Sequence, residues 1–374
     1  MKKRLVVIFA VLIAASVLAF WGLRTTSNAP PSDKPVIRIV ALFPMTGDAA
    51  VYGQTSQKVA AKFLSEWEAR NPNARYKYDV AFEDVQRAPA RAALAANRLI
   101  SLGKVDVFLS MLSSVSKAVI PIAERKNIIV FSWAPEPSVG EGDYNFRIAT
   151  DIPAGVKKLL DKIEGMGIKK VSVVRSLEVE PNLSGEEILK QLKSRPRMTV
   201  AGAYQFNPGE RRFDLFVQKI AFKKPEMIIL ETLPPATDLF LRSMKRQGIE
   251  IPVTGFQLLG VVQDKKLVEG FFDVGVAGPN AAFAAQFAAE LKDGGTQYSE
   301  YTVTMLSVLM NAFEKVPLEN GAKPSAKSMA RALLDETNGL ETPLGTMSID
   351  KDGVMMFPTA FYRVRNGQVI PESE

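Results

Sequence analysis

Residues 106–136 read DVFLSMLSSVSKAVIPIAERKNIIVFSWAPE, and this stretch decides the class of fold. Residues 105–109 and 128–131 are short apolar runs of the kind that buried parallel strands use. Between them, the Ser-rich residues 112–116 predict a loop that opens a helix ending near Asn127. The order strand, loop, helix, strand is that of a βαβ unit, so the stretch predicts an α/β fold.

The same alternation runs through most of the chain. Strands are predicted at 36–42, 78–83, 170–174, 199–206, 227–231 and 252–255. Helices are predicted from the Ala-rich segment that ends near Arg70, and at 90–102, 152–165, 185–193, 213–221, 237–247 and 298–315. Repeated strand–helix alternation predicts doubly wound parallel sheets, and 374 residues are enough for two domains of ordinary size.

Open α/β sheets bind ligands beyond the carboxyl ends of their strands. The loops at 112–116 and 132–136 follow two neighbouring strands, so they are expected to lie at one edge of a sheet. Ser113 and Ser114 are candidates for ligand contact there, because hydroxyls and free N–H groups at a helix start form an anion site. The alternative is that both serines only cap the helix.

Composition narrows the class of function. The chain has no Cys and no His, which removes Cys nucleophiles, disulfides, His-dependent triads and imidazole zinc sites. The net charge is +7, with 47 basic and 40 acidic residues and no long basic run beyond the N-terminus, so nucleic-acid binding is not indicated. A phosphate-binding Gly-rich motif is also absent. A binding protein is therefore favoured over an enzyme, and no cofactor is predicted.

The N-terminus carries an export segment. Lys2, Lys3 and Arg4 precede an apolar run from residue 5 to residue 23, close to the ~20 residues that span a bilayer. Residues 1–24 are therefore predicted to be a signal peptide or an uncleaved membrane anchor. Residues 25–35 form a polar, Pro-containing linker. The remaining chain is expected to lie outside the cytoplasmic membrane, and an uncleaved anchor would tether it there.

Several short motifs together resemble one family. They are FPMTG at 43–47 followed by Tyr52-Gly53, YNFR at 144–147 with Asp151, GIKKVSVV at 167–174, TPLG at 342–345, DKDG at 350–353 and Asn366-Gly367. In this order, over roughly residues 36–370, the chain resembles the leucine/isoleucine/valine-binding family, the type I periplasmic binding proteins of ABC transporters.

The resemblance implies two lobes joined by a three-strand hinge. The first lobe would comprise residues 36–149 and 279–343, and the second residues 150–278 and 344–374. Interleaved lobes of this kind close on a ligand like a clamp.

The resemblance also implies roles for individual residues. Ser113 falls on the serine that holds the carboxylate of an amino-acid ligand, and Ala134 on the residue whose carbonyl receives the ammonium. Tyr52 falls on an aromatic residue of the first loop that packs on the ligand. These three positions agree with an amino-acid-like ligand.

Three positions depart from that pattern. Glu136 replaces a threonine, and a carboxylate there would repel a ligand carboxylate if both were buried without partners. Leu183 stands where an aromatic residue is usual, and Gln257 stands where an acidic residue is usual. A neutral or cationic ligand, or one stacked on Trp133, is therefore expected.

Each further candidate has a structural alternative. Trp133 follows a strand end and is placed in the cleft, with the core of a lobe as the alternative. Glu231 ends a strand of the second lobe and is either a cleft acid or a surface carboxylate. For Glu136 the alternative is a side chain that points to solvent, because prolines stand on both sides of it.

Three functions are compatible with the sequence. The first is an extracytoplasmic solute-binding protein that delivers a small organic molecule to an ABC permease or reports it to another membrane partner. The second is a scaffold or sensor that keeps the fold without a ligand. The third, a hydrolase that uses paired carboxylates such as Glu136 and Glu231, is the least favoured.

Overall fold

The structure of the protein is a computed structural model that describes residues 34–134, 136, 138–139, 142–276, 281–291 and 299–372. The predicted export segment and all but the last two residues of the predicted linker lie outside these residues. Among the helices that are described, none is both long enough and apolar enough to span a membrane.

Sixteen strands are described in the part of the chain that the structure covers. In chain order they are Val36–Phe43 (β1), Lys77–Asp84 (β2), Val107–Met111 (β3), Ile129–Trp133 (β4), Asn145–Ala149 (β5), Lys170–Ser176 (β6), Thr199–Phe206 (β7), Met227–Glu231 (β8), Val253–Thr254 (β9), Phe272–Val276 (β10), Glu341–Thr342 (β11), Gly345–Thr346 (β12), Ser348–Ile349 (β13), Val354–Met356 (β14), Thr359–Arg365 (β15) and Gln368–Glu372 (β16).

The helices alternate with these strands. They are Ala50–Arg70 (α1), Pro89–Ser101 (α2), Ser113–Glu124 (α3), Ile152–Gly165 (α4), Val179–Lys193 (α5), Asp214–Phe222 (α6), Ala236–Arg246 (α7), Leu258–Val261 (α8), Ala281–Gln286 (α9), Ser299–Phe313 (α10) and Ala326–Asp335 (α11), with a 3-10 turn at Lys265–Leu267.

The first lobe is built on a seven-stranded sheet in the order β13-β14-β5-β4-β3-β1-β2, parallel except for the β13–β14 pair. Strands β3, β4 and β5 are buried along their whole length, as their apolar sequences predict. Helices α1, α10 and α11 cover one face with one apolar cluster, and α2 and α3 cover the other face with a second.

The second lobe is built on a four-stranded parallel sheet in the order β7-β6-β8-β9. Helices α4 and α5 pack on one face, and α6 and α7 on the other. A bridge between Phe256 and Val274 links this sheet to a three-stranded antiparallel sheet, β10-β15-β16. The predicted α/β class with mainly parallel sheets is confirmed.

Within the described residues, the chain passes between the two lobes at two places. The first is Thr150-Asp151, between β5 and α4, where the Asp151 carboxylate caps α4 by accepting from the Ala154 N–H at 3.0 Å. The last lies between Met356 and Thr359. The sequence places this last crossing before residue 344, but β13 and β14 pair within the first sheet, so the chain leaves the first lobe later.

Candidate functional site

The two lobes touch where the carboxyl ends of their parallel strands face each other. Arg87, just after β2, donates from Nη2 to Oε1 of Glu178, just after β6, at 2.7 Å. Arg211, after β7, donates from Nη2 to Oδ2 of Asp48, after β1, at 3.0 Å. These ion pairs join loops of opposite lobes, so the structure shows the cleft closed.

A small cavity remains on the second-lobe side of this junction. Its volume is about 20 Å³, enough for one water molecule. The lining residues are Glu180, Pro181, Ser184, Leu230, Glu231, Thr232, Leu233, Phe256, Gln257, Leu258 and Val261. They contain two acids and no base among the residues that the structure describes.

Glu231 is buried and is not a surface carboxylate. Its residue is 3% exposed, and its two oxygens accept from Ser184 Oγ at 2.6 Å and from the Phe256 N–H at 2.7 Å. Burial raises the pKa of Glu231 to about 8; the two hydrogen bonds oppose this rise, and the charges of Glu180 and Asp273 add to it.

Glu180 lies beside Glu231 on the wall of the cavity. The helix predicted at 185–193 begins earlier, at Val179, so Glu180 lies in the first turn of α5 and lines the cavity. Burial, and then the charge of Glu178, raise the pKa of Glu180 to about 8. No hydrogen bond to its carboxylate comes from any residue that the structure describes.

Tyr52 faces these acids from the first lobe. Its ring packs against the first-lobe core. Burial raises the pKa of the Tyr52 hydroxyl; the charge of Arg87 opposes this, while Glu178, Asp238 and Glu180 reinforce it. Tyr52 therefore lies near charged groups of the second lobe, and its predicted role as a ligand contact stays a prediction.

Trp133 is the last residue of β4 and is 1% exposed, within the first-lobe core. Its ring lies 5.2 Å from that of Tyr301, and the Tyr301 hydroxyl hydrogen-bonds Trp133 and Thr150. The strand extends two residues beyond the predicted one, which draws the indole inward. The structure thus places Trp133 beneath the cleft wall, as the alternative prediction has it.

The serines at the start of α3 do not cap it. The N-cap residue is Leu112, with no side-chain cap. Ser113 is buried, and its Oγ accepts from the Glu136 N–H at 3.4 Å, while Ser114 is exposed.

Glu136 forms an ion pair with Lys117 of α3 and also accepts from Ser138 Oγ at 2.7 Å. Burial tends to raise its pKa, but these two partners outweigh burial and lower the pKa. Glu136 is therefore a paired carboxylate, not the unpaired one that would repel a ligand. With Glu231 held inside the other lobe, the paired-carboxylate hydrolase gains no support.

The carbonyl of Ala134 already has a donor. Arg147 of β5, 7% exposed, donates to it from Nη1 at 3.1 Å. The resemblance assigns this carbonyl to a ligand ammonium. In the described arrangement the Arg147 guanidinium, and not a ligand, donates to it.

Leu183 and Gln257 complete the predicted set. Leu183 lies on α5, which starts before the predicted residue 185, and packs against the second-lobe core. Gln257 lines the cavity, and its Nε2 donates to Thr150 Oγ1 at 3.3 Å, which ties the second lobe to the first crossing.

Backbone strain marks the same junction. The backbone angle φ is positive at four residues here: Gln86 (48°), Arg87 (57°), Leu112 (76°) and Gln257 (62°). Residues other than glycine rarely adopt such values. All four lie in loops beyond the carboxyl ends of strands. Such strain persists where surrounding contacts fix the backbone, and it concentrates at functional sites.

The sequence reading missed Arg87, Glu178, Glu180 and Ser184. The signal that could have revealed them is the pair of acids at 178 and 180 directly after a strand. Within the described ranges, no group of three or more acidic residues is arranged to hold a metal ion.

The family profile described as periplasmic binding protein matches residues 36–368. No curated protein sequence matches the chain.

Solved structures share the fold at low identity. A leucine-binding protein of Thermotoga maritima is 18% identical with a TM-score of 0.75, over 90% of this chain and 98% of its own. A solute-binding protein of an ABC transporter from Rhodopseudomonas palustris, in complex with 3,4-dihydroxybenzoic acid, is 18% identical with a TM-score of 0.77, over 91% and 97%. A branched-chain amino acid transporter substrate-binding protein of Streptococcus pneumoniae, in complex with isoleucine, is 17% identical with a TM-score of 0.75, over 90% and 100%.

Proposed function

The chain belongs to the periplasmic binding protein family, a family of binding proteins and not of enzymes, and on that premise we propose that it captures a small organic solute between its lobes for an ABC importer. The observation that carries the proposal is the closed junction, where Arg87 pairs with Glu178 and Arg211 pairs with Asp48 across the cleft. The strained loops at the same place are the ones that a bound solute would touch.

Closure explains how capture becomes a signal. The cross-lobe ion pairs exist only when the lobes are together, so a solute that favours closure also favours this set of contacts. Binding of a membrane partner that recognises the closed surface is then thermodynamically coupled to solute binding, because each shifts the same equilibrium between open and closed lobes.

The cavity shows that entry requires motion. A space of about 20 Å³ cannot hold any of the organic ligands seen in the similar structures. The lobes must therefore separate to admit a solute of that size.

The small cavity also favours a second candidate. A scaffold or sensor that keeps the fold without a ligand would close fully, as this structure does. The two candidates differ in one respect: a scaffold shows no solute-dependent stabilisation at any concentration.

The location follows from the family and from the N-terminal segment. Residues 1–24 are proposed to export the chain and, if uncleaved, to anchor it to the cytoplasmic membrane. An anchor would raise the effective concentration of the protein near its permease.

Native mass spectrometry of the full-length protein, purified from its native host in mild detergent, tests capture directly. A discrete adduct that is lost on denaturation is the expected result. A clean unliganded mass, together with no thermal shift across a broad metabolite panel, would instead establish the scaffold.

A further inference from the structure

We propose that the exposed face of α6, in the second lobe, docks on a lipid bilayer that carries anionic headgroups. This face, called here the α6 patch, comprises Leu215, Lys219 and Phe222 of the helix, with Lys223 and Lys224 directly after it. The inference goes beyond solute capture, because it concerns a surface outside the cleft and stands whether or not a solute is found.

Two large apolar side chains lie on the solvent side of α6. Phe222 is 82% exposed and Leu215 is 69% exposed, whereas the opposite side of the helix buries Val217 and Ile220 in the second-lobe core. Residues seven positions apart lie one above the other on a helix, so Leu215 and Phe222 form a single apolar stripe. The core does not use this stripe, which leaves it available to a partner.

Positive charge is concentrated around the same helix. Residues 195–224, which hold β7, α6 and the loops beside them, contain seven basic and two acidic residues, a net charge of +5 in a chain whose total is +7. β7 is an edge strand of the second-lobe sheet, and Tyr204 of β7 donates to the carbonyl of Lys219 at 3.3 Å. Strand and helix therefore form one basic edge of the lobe.

Most of these bases have no acidic partner. Two of the seven are paired with acids of the protein. The other five are exposed and form no ion pair with any residue that the structure describes: Arg197, Arg212, Lys219, Lys223 and Lys224. The two acids of the segment are already engaged, Glu210 by backbone N–H groups and Asp214 by Arg246. The charge of the five bases is complementary to an anionic partner.

A bilayer with anionic headgroups presents both chemistries that the α6 patch matches. Lysine side chains can lie along an apolar surface and reach a phosphate, while an aromatic ring such as Phe222 enters the boundary between headgroups and acyl chains. Each cation near an anionic surface strengthens the contact by about fivefold. An acidic protein would match the cations, but a bilayer also provides a continuous apolar layer for the stripe.

The predicted N-terminal anchor makes a weak contact sufficient. Two apolar side chains bury little surface, so the α6 patch alone would hold a free protein only transiently. If residues 1–24 stay in the membrane, the linker at residues 25–35 spans at most about 40 Å, and the body meets the bilayer at a high effective concentration. Docking of the patch would then fix which side of the body faces the membrane.

Fluorescence quenching by labelled lipid tests the contact in the full-length protein. The chain has no cysteine, so Gln218→Cys, on the exposed side of α6, can carry a single fluorophore. The protein is reconstituted into vesicles of phosphatidylcholine alone or mixed with phosphatidylglycerol, each with a trace of headgroup-level nitroxide lipid. We expect quenching in the anionic vesicles only, reduced by added salt, and none for a fluorophore at Leu94→Cys, exposed on α2 of the first lobe.

The charge variant adds Lys219→Gln, Lys223→Gln and Lys224→Gln to the Gln218→Cys protein. The ratio of docked to undocked protein should fall by about a hundredfold, at about fivefold for each cation. Its control removes the same charge from exposed lysines of the first lobe: Lys104→Gln, Lys126→Gln and Lys327→Gln. The control should quench as the parent protein does, and both variants should keep its melting temperature, since every substituted side chain is exposed.

Phe222→Ser tests the apolar stripe, with Leu94→Ser as its control at another exposed apolar residue. Quenching at position 218 should weaken severalfold in Phe222→Ser and stay unchanged in Leu94→Ser. An unchanged Phe222→Ser would show that the ring does not enter the bilayer and would overturn the docking mode proposed.

Two further results would overturn the proposal. One is equal quenching at positions 218 and 94, or quenching that persists in neutral vesicles and in the charge variant. The other is a fluorophore at position 218 that is shielded in membrane vesicles of the native host but not in vesicles of the lipids extracted from them, because the partner is then a membrane protein. Neither result bears on solute capture, which the search for an adduct tests separately.

Discussion

Arg87 of the first lobe and Glu178 of the second are joined by a hydrogen-bonded ion pair of 2.7 Å, with side chains 33% and 15% exposed. The pair bridges the cleft, so its energy belongs to the closed state and not to the folding of either lobe. Partly exposed pairs contribute about 1 kcal/mol or less.

Arg87→Gln should therefore shift the lobes towards opening by up to about fivefold in the equilibrium constant, the equivalent of about 1 kcal/mol. The chain has no cysteine, so Lys104→Cys and Lys223→Cys, both exposed and on different lobes, can carry a fluorescence pair. The interlobe distance should increase in the variant, whereas the melting temperature should change little.

The control is Arg98→Gln, which breaks a 2.7 Å pair with Glu83 inside the first lobe. Its interlobe distance should equal that of the wild type. An equal opening in both variants would show that the cross-lobe pair does not hold the cleft closed.

Trp133→Leu tests whether the indole is core or a stacking surface. With Trp133 buried against Tyr301, the substitution leaves a cavity, and we expect a loss of about 2–4 kcal/mol in the free energy of unfolding. Trp67→Leu, at a partly buried ring that meets Tyr78 at 5.3 Å, should cost less. Urea unfolding measures both; a variant with full stability and lost solute affinity would assign Trp133 to the ligand surface.

The sequence predicts the architecture well because the information is local. Apolar runs of about five residues between amphipathic segments are enough to define buried parallel strands and their covering helices. The last crossing was placed too early, because β13 and β14 are only two and three residues long and their sheet is decided by pairing with β5.

The site was harder to predict for two physical reasons. The predicted helix starts only at residue 185, but α5 starts at Val179 because proline is tolerated in the first turn of a helix. The additional turn directs Leu183 to the core and Glu180 to the cavity. The pairing of Glu136 with Lys117 and the donation of Arg147 to Ala134 join residues 19 and 13 positions apart, so only the tertiary fold reveals them.

Stability should fall as the pH rises through the neutral range. The pKa of Glu231 is about 8 in the folded protein, against about 4.3 in an unfolded chain. Between these values the folded state holds the extra proton, so the free energy of unfolding declines with rising pH and levels off above about pH 8. Burial and the charge of Glu178 raise the pKa of Glu180, and burial raises the pKa of Asp273 although the charge of Lys265 opposes it. Both acids therefore also make the stability fall as the pH rises.

Glu231→Gln keeps an acceptor for the Phe256 N–H and a donor for Ser184. The free energy of unfolding of this variant should decline less steeply with pH. At pH 8.5 it should exceed that of the wild type by on the order of 1–3 kcal/mol. Urea unfolding at several values between pH 6 and pH 9 measures the slope. Glu186→Gln should keep the wild-type slope; a Glu231→Gln slope equal to it would mean that Glu231 is ionised in the folded protein.

Two glycines of α4 provide a matched test of how tightly the second lobe supports the cleft. A Cβ at Gly155 would lie 2.2 Å from Cε2 of Phe256, whereas a Cβ at Gly165 would have nothing within 4 Å. Gly155→Ala should therefore lose about 1–3 kcal/mol of stability by overpacking, and Gly165→Ala should be neutral or gain up to about 1 kcal/mol from the reduced entropy of the unfolded chain. Because the Phe256 N–H donates to Glu231, the displaced ring should also weaken solute binding.

Denaturant unfolding of both variants, and of Gly155→Ala combined with Phe256→Leu, measures the effect. The smaller leucine side chain should restore most of the stability that Gly155→Ala loses. If Gly155→Ala alone is as stable as Gly165→Ala, the ring moves aside at no cost, and the wall of the cleft is softer than its packing indicates.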